Sequence, residues 1–356
     1  MPKTIAITPS WYWPARVPRV VGVPPFSLPE LLVERRARRD PDGLAVVDAS
    51  ERLTNAQLAA RVAEASATPD AAAMSSPTPS VAGVVAFLGA LGAGTPVRFD
   101  AAGAAAVGGD AVSDLRGAVV GLAARDAIAL HSQRGLLAGA LSLGSFLQVG
   151  AERPWLSTFG LGSWEGIYGV TTALAAGAPL VLAPAGEGAL EYVVREGVGT
   201  AFTDLGSAYQ ASREAKRDVK AVRGVLGSLV LSTGGMFDPD QRRRVAKMFE
   251  CPALTTFGMP ETGPIFTAHP SWYIDEAIGI PMTNAHVVPV DPRSFTPVQT
   301  LWELVESAMV TVYSPMLTVG YEGGANADRF RDDRFVTGVI ASSDANGMIY
   351  LLPDGF

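Results

Sequence analysis

The chain has 356 residues, 48% of them hydrophobic, and its 28 Lys and Arg against 35 Asp and Glu give a net charge of −7. That hydrophobic share can build a large core and more than one subdomain, while the acidic balance offers no basic face to a nucleic acid. A single cysteine, Cys251, excludes an internal disulfide framework and suits a reducing compartment.

No charged segment followed by an apolar core opens the chain, so no secretory leader is read. The longest uncharged apolar run, Gly135–Val149, is about 15 residues, short for a membrane span, and predicts a buried helix instead. A soluble cytoplasmic protein with no membrane partner is expected. The 38 Gly and 26 Pro imply many tight turns, as in a large α/β protein with many crossovers.

In chain order, residues 1–26 read as an irregular, Pro-rich arm whose Trp11-Tyr12-Trp13 cluster anchors it on a core. Ser27-Leu28-Pro29-Glu30 is a helix start with a capping-box spacing, followed by Leu28, Leu31 and Leu32 as the inward stripe. Arg35, Arg36, Arg38 and Arg39 then fall in the last turn, where cations suit the helix dipole and are read as a solvated end. Asp40-Pro41-Asp42-Gly43 turns the chain into a short strand at Leu44–Asp48, and Thr54 with Gln57 caps a second helix. Residues 67–80 read as a loop, Val84–Gly94 as an apolar helix, and 101–112 as an Ala/Gly-rich mobile stretch.

Ala118–Val120 predicts a strand, and residues 121–130 a plain turn and helix start. From Leu156 to Pro184 the pattern is strand, loop, Gly-broken helix and the strand Leu180–Ala183. Ser228–Gly235 is a strand running into Gly234-Gly235. Asp238-Pro239 starts a helix with Val245, Met248 and Phe249 inward and Arg242, Arg243, Arg244 and Lys247 toward water. After Gly263 the chain turns β-rich, with strands read at Ala285–Val290, Leu301–Ser307, Val310–Tyr313 and Ile349–Leu352.

Leu254-Thr255-Thr256-Phe257-Gly258-Met259-Pro260-Glu261-Thr262-Gly263 closely resembles the aromatic-Gly-Met-Thr-Glu-(Thr)-Gly stretch of the adenylate-forming superfamily, which holds acyl-CoA synthetases, luciferases and the adenylation domains of nonribosomal peptide synthetases. The order "DPDGLAVVD", "LTNAQLAARV", Gly234-Gly235, "AIGIPMTNAHVVPVD", "WELVE", "VGYEGG" and "DRFVTGVIASSDANGMIYLL" is similar to that family's order over roughly residues 27–352, most closely from 228 onward. The resemblance implies an α/β fold: the large N-terminal domain with two helix-covered sheets, a small C-terminal β subdomain and no lid domain. It divides the chain into an arm at 1–26, a two-part core at 27–280 and a β-rich subdomain at 281–356.

The same resemblance assigns roles by position. Phe257 takes the place of the ring that stacks on adenine, and Glu261 that of the carboxylate that holds magnesium. Thr337 opens the ribose-binding Thr-Gly-Asp motif. Gly234, Gly235, Phe257, Gly258 and Met259 border the acyl or aryl pocket. Trp164 falls where an aromatic or His lines that pocket, with core packing as its other reading. Amino-acid-activating members carry an Asp at the counterpart of Gly160, so an α-amino acid is not the expected substrate.

Several of the family's ATP contacts are missing. Its Ser/Thr/Gly-rich phosphate loop, ending in Pro-Lys-Gly, belongs between 120 and His131, where this chain reads Gly121-Leu122-Ala123-Ala124-Arg125-Asp126-Ala127-Ile128-Ala129-Leu130. Pro260 replaces the phosphate-side Thr, Val339 replaces the ribose Asp, and Pro353-Asp354-Gly355-Phe356 stands where an Arg hinge and lid would follow. A hydrogen bond to a charged group contributes about 1.5–3 kcal/mol, so losing three or four removes on the order of 6 kcal/mol, about four decades of affinity.

No Gly-x-Ser-x-Gly, paired-His zinc helix, Cys pair or Walker-type loop is present. His131, His269 and His286 lie far apart, with a satisfied or surface role expected for each; His131 and Glu261 are the weak catalytic candidates. Cys251 is expected to be buried. The expectation is a degenerate AMP-dependent ligase-like protein that binds, or acts on, a small acyl or aryl carboxylate or its thioester or adenylate. It would need no cofactor. The alternatives are a working acyl-AMP or acyl-CoA ligase using Mg-ATP with a partner's lid, with a carrier protein as a further candidate partner, and a non-catalytic partner of a complete homologue.

Overall fold

A computed structural model describes residues 13–107, 119–125, 127–234, 237–298, 305–322 and 327–352. Its described strands form three sheets. The first has nine strands in the spatial order 280–281, 263–267, 253–259, 228–232, 200–204, 155–157, 180–182, 44–47 and 52–54. The six strands from 253–259 to 44–47 are mutually parallel, and the edges are antiparallel. Parallel strands buried on both faces read as continuous apolar runs, as in Leu180–Leu182 and Leu229–Leu231.

Alternation along these strands divides the core. Trp155, Phe202 and Val230 face a cluster with the helices 81–92, 133–146 and 164–176 and with Val97, Phe99, Val120 and Leu122 of the second sheet. Leu156, Ala201, Leu229 and Leu231 face the other cluster, under the helices 187–196, 205–214, 216–222 and 239–249. The predicted helix over Gly135–Val149 is Gln133–Phe146, capped by Ser132 and buried almost all round, as an apolar helix between two layers must be. The Thr54–Gln57 capping box is complete in both directions, and Ser27 Oγ accepts from the Glu30 N–H at 3.2 Å.

The second sheet runs 320–321, 127–132, 119–124, 97–99, 105–107. The third is antiparallel, in the order 286–290, 305–313, 334–343, 330–331, with 349–351 also paired to 334–343. Gly320–Tyr321 pairs with Leu130 and Ala129, tying the C-terminal part of the chain to the second sheet.

Several expectations are corrected. Residues 121–130 are no turn and helix start but most of a β-hairpin, Val119–Ala124 against Ala127–Ser132; pairing of these short segments with each other and with Val97–Phe99 overrides the local preference of their alanines. Arg36 is not solvated: it donates to the carbonyls of Leu174, Gly177 and Ala178 at the end of helix 164–176, where a cation is favoured, and burial lowers its pKa to about 10. Arg242 does not face water but is fully buried. Its Nε donates to Ala253 O at 2.7 Å and its Nη1 to Ile274 O and Ala277 O at 2.7 and 3.1 Å. The 67–80 loop contains a short helix, Ala71–Met74, capped by Asp70. The strands read at 301–307 and 310–313 are one strand, Val305–Tyr313, with 301–304 outside the described residues, as are Trp11, Tyr12 and 108–112. The described part of the stretch read as mobile ends in a strand, Ala105–Val107, paired with Val97–Phe99.

Candidate functional site

The parallel strands of the first sheet all end at one edge, where open α/β sheets place their ligands. The residues delivered there are Thr158, Asp204, Ser232, Thr233, Gly234 and the turn between strands 253–259 and 263–267, which carries Glu261. Helix 164–176 begins beside them, capped by Ser163.

Glu261 is 2% exposed and fully engaged with neighbours. Tyr321 donates its hydroxyl to Glu261 Oε1 at 3.1 Å, and Arg329 Nη1 lies 3.8 Å from the same oxygen. The Glu261 carbonyl accepts from the Thr318 N–H at 2.7 Å. The Tyr321 phenol is pushed above the usual tyrosine range by burial and by the carboxylate it serves. Magnesium requires near-octahedral oxygen ligands and usually keeps several waters. A buried carboxylate shared with a phenol and facing a guanidinium meets neither need, and among the described residues no cluster of three or more His, Cys, Asp or Glu could hold a metal. The residues do not fit the ion that the resemblance implied.

His131 is fully buried on the strand 127–132, and its Nε2 lies 2.5 Å from Pro260 O. Its Nδ1 makes no hydrogen bond. Burial lowers its pKa to about 4, against the opposing pull of the Pro260 and Met316 backbone. His131 therefore meets the Glu261 turn as a neutral strut rather than as a proton carrier at an open site.

Phe257 is buried and its ring stacks on Phe266 with centroids 6.2 Å apart. At Gly258 a Cβ would fall 2.4 Å from Gly263 O, so the hairpin itself demands glycine there. Met259 is partly buried against the main core. Trp164 is buried too, with ring centroids 6.5 Å from Tyr168 and 6.5 Å from Phe202. Gly234 has φ +56 and open space where a Cβ would stand; Gly235 lies outside the described residues. Thr337 Oγ1 donates to Val310 O at 2.8 Å, and Val339 is buried in the core. At Gly160 a Cβ would sit 2.6 Å from Ser76 O and 2.8 Å from Pro77 O, so no side chain, carboxylate or other, fits at that position.

The hairpin closes where a phosphate loop would have to run. Ala124 pairs with Ala127, so only Arg125 (φ 44) and Asp126 separate the strands, with Asp126 outside the described residues. Loops that cradle phosphate need a run of free backbone N–H groups, and the N–H groups flanking this turn belong to strands that are paired.

Sequence reasoning missed Glu165. It stands in the first turn of helix 164–176 and accepts from Ser232 Oγ at 2.9 Å. Burial and the nearby Asp204 raise its pKa, against the hydrogen bonds it accepts. Thr233, next to Ser232, has a buried hydroxyl with no partner. Glu165 directly after Trp164 at a Ser-capped helix start was the available signal. Cys251 is buried, and its thiol is pushed up to about 12 by burial, which leaves it inert. His269 is buried beside Phe146 and Ser271.

No family profile matches the sequence, and no curated protein matches it. The fold does match solved structures. A long-chain-fatty-acid-CoA ligase (FadD1) from Archaeoglobus fulgidus aligns at TM-score 0.76 and 10% identity over 96% of this chain and 86% of that one. VinN aligns at TM-score 0.73 and 16% identity over 92% and 98%, and it has also been solved with L-aspartate. MatB from Rhodopseudomonas palustris aligns at TM-score 0.73 and 15% identity over 92% and 78%, and it has also been solved bound to ATP.

Proposed function

We infer that this chain, which has the fold of the large domain of the adenylate-forming enzymes, binds a small acyl or aryl carboxylate, or its thioester or adenylate, without activating it through ATP. The observation that carries this reading is the tight hairpin turn at Arg125, which stands in place of a loop able to wrap a triphosphate. Three further features support it. Glu261 is engaged by Tyr321 and Arg329. Val339, at the ribose position, is an apolar core residue that accepts no hydrogen bond from its side chain. The turn bearing Pro260 is held by His131.

What remains at the sheet edge suits the organic part of such a ligand. Gly234 leaves open space, Ser232 and Glu165 supply a hydrogen-bonded hydroxyl and carboxyl, and the Thr233 hydroxyl is unpartnered. Apolar walls with a few placed polar groups are the usual composition of small-molecule sites. A Glu165 carboxyl that burial makes reluctant to ionise can offer an O–H to the oxygen of a carboxylate or thioester. The closed Gly160 position offers no carboxylate to an α-amino group.

The test is pyrophosphate exchange by the purified protein over a panel of aliphatic and aromatic acids, alongside calorimetry with the matching acyl thioesters. Thioester binding without exchange supports the reading. Exchange with any acid would replace it with a working ligase, and absence of both would leave a scaffold that pairs with another protein.

A further inference from the structure

We propose that the outer face of the third sheet carries an anion site for a phosphate group, separate from the first-sheet edge and independent of the function proposed there. A cavity of about 440 Å³ opens between the strand 305–313, the loop after Val290 and the hairpin of 330–331 with 334–343. Its volume is in the range of small-molecule sites, roughly 300–1,000 Å³. Two arginines stand on its wall. Arg331 and Arg334 are directly paired across the hairpin, so their side chains leave the same face of the sheet.

Like charges placed opposite each other oppose folding unless something holds or neutralises them. Arg331 is held by stacking: its guanidinium carbon lies 3.9 Å from the centroid of the Phe295 ring. A guanidinium stacked by its face keeps its N–H edge available for a planar or tetrahedral oxyanion. Among the described residues no carboxylate lies within ion-pairing distance of Arg331. Arg334 is mostly buried and meets Asp332 at 3.2 Å, but Asp332 is 87% exposed, and such a pair adds little that a ligand could not displace. The remaining polar wall is Asp332 itself, the carboxylate that a ligand would displace from Arg334, with Ser294 and Thr311, whose hydroxyls donate to Asp291 Oδ1 and Val288 O.

The turns beside the cavity fix its walls. Asp332 and Asp333, with φ of 48 and 61°, are the central pair of a two-residue hairpin turn of the common primed kind, and Phe295 sits in the left-handed region with φ 58°. That geometry sets the Phe295 ring under Arg331 and turns the hairpin so that both arginines reach one cavity. Two forks that together donate more N–H groups than one carboxylate can accept select phosphate over carboxylate.

The experiment titrates the full chain with phenyl phosphate by calorimetry at constant ionic strength, with sodium benzoate as the carboxylate control. Saturable binding is expected for phenyl phosphate, at least about 10-fold weaker in an Arg331→Ser, Arg334→Ser double variant. The Arg331→Lys, Arg334→Lys variant, which keeps charge and loses the fork, should fall between them. As a check that needs no variant, phenyl phosphate should protect Arg331 and Arg334, but not the exposed Arg38, from phenylglyoxal when the sites are mapped by mass spectrometry. Equal phenyl phosphate binding by parent and double variant, benzoate binding weakened by the double variant as much as phenyl phosphate binding is, or protection no greater than at Arg38 would each overturn the proposal.

Discussion

Replacing His131 with Gln tests whether the second sheet meets the Glu261 turn through a neutral, structural histidine. The ring is fully buried, and its Nε2–H donates to Pro260 O at 2.5 Å, while Nδ1 has no partner. Protonation would place a full charge in a fully buried position, a cost that the Pro260 and Met316 backbone offsets only in part. The depression of the pKa from 6.5 to about 4 corresponds to about 3 kcal/mol between the two states of the ring.

The sign follows from the direction of that depression. A group that titrates lower in the folded than in the unfolded chain contributes its stability in full above pH 6.5 and loses it as the pH falls through about 4. Glutamine keeps an amide donor for Pro260 O and does not titrate. At pH 7.5 the variant should be less stable than the parent by about 1–2 kcal/mol, the cost of a poorer fit and hydrogen bond. Near pH 4 the parent should have lost about 3 kcal/mol, a loss that the non-titrating variant does not suffer, so their order reverses. Urea unfolding at pH 7.5, 5.5 and 4 measures both quantities, and the His131 ring resonance should show no titration near 6.5. A ring titrating at its ordinary pKa, or equal stability loss in parent and variant, would refute the buried neutral strut and reopen His131 as a proton-transfer group.

Three further outcomes are expected. Arg242→Met should destabilise the protein by about 3 kcal/mol in guanidinium unfolding, because the carbonyls of Ala253, Ile274 and Ala277 would lose a buried donor; a change under about 1 kcal/mol would show that the guanidinium's own burial offsets those bonds. Tyr168→Phe should be neutral or stabilising by up to about 1 kcal/mol, since its buried hydroxyl has no partner, and clear destabilisation would reveal a hidden one. Glu261→Gln should leave a Mn²⁺ relaxation titration as flat as in the parent, while costing about 1–2 kcal/mol because the hydrogen bond from Tyr321 loses its charged acceptor and the Arg329 guanidinium loses the charge it faces; Mn²⁺ bound by the parent and lost in the variant would restore Glu261 as a metal ligand.

Much of the architecture was legible because period and punctuation agree. Thr54 with Gln57, Asp238 before Pro239 and the apolar run from Gly135 each define a helix through local chemistry alone. The site was legible only as positions. That Gly258 is there for hairpin closure and Gly160 because two carbonyls press on it depends on segments distant in sequence.

Arg36 and Arg242 misled for a related reason. A guanidinium reads as solvent-facing from its type, yet each finds carbonyls at the end of another element, and nothing in its own neighbourhood announces them. The 121–130 segment failed differently: with alanines dominating, local propensity favoured a helix, and pairing with the neighbouring strands decided otherwise. Glu165 went unread because its partner Ser232 lies 67 positions away.

The central claim is that the nucleotide's grip is gone while the fold persists. Equilibrium dialysis of the purified protein against ATP with excess magnesium tests it most directly. The account predicts no saturable binding up to about 1 mM, since removing about four decades of affinity from a roughly micromolar site moves its Kd to about 10 mM. A single saturable site well below that concentration, weakened by Glu261→Gln, would contradict it.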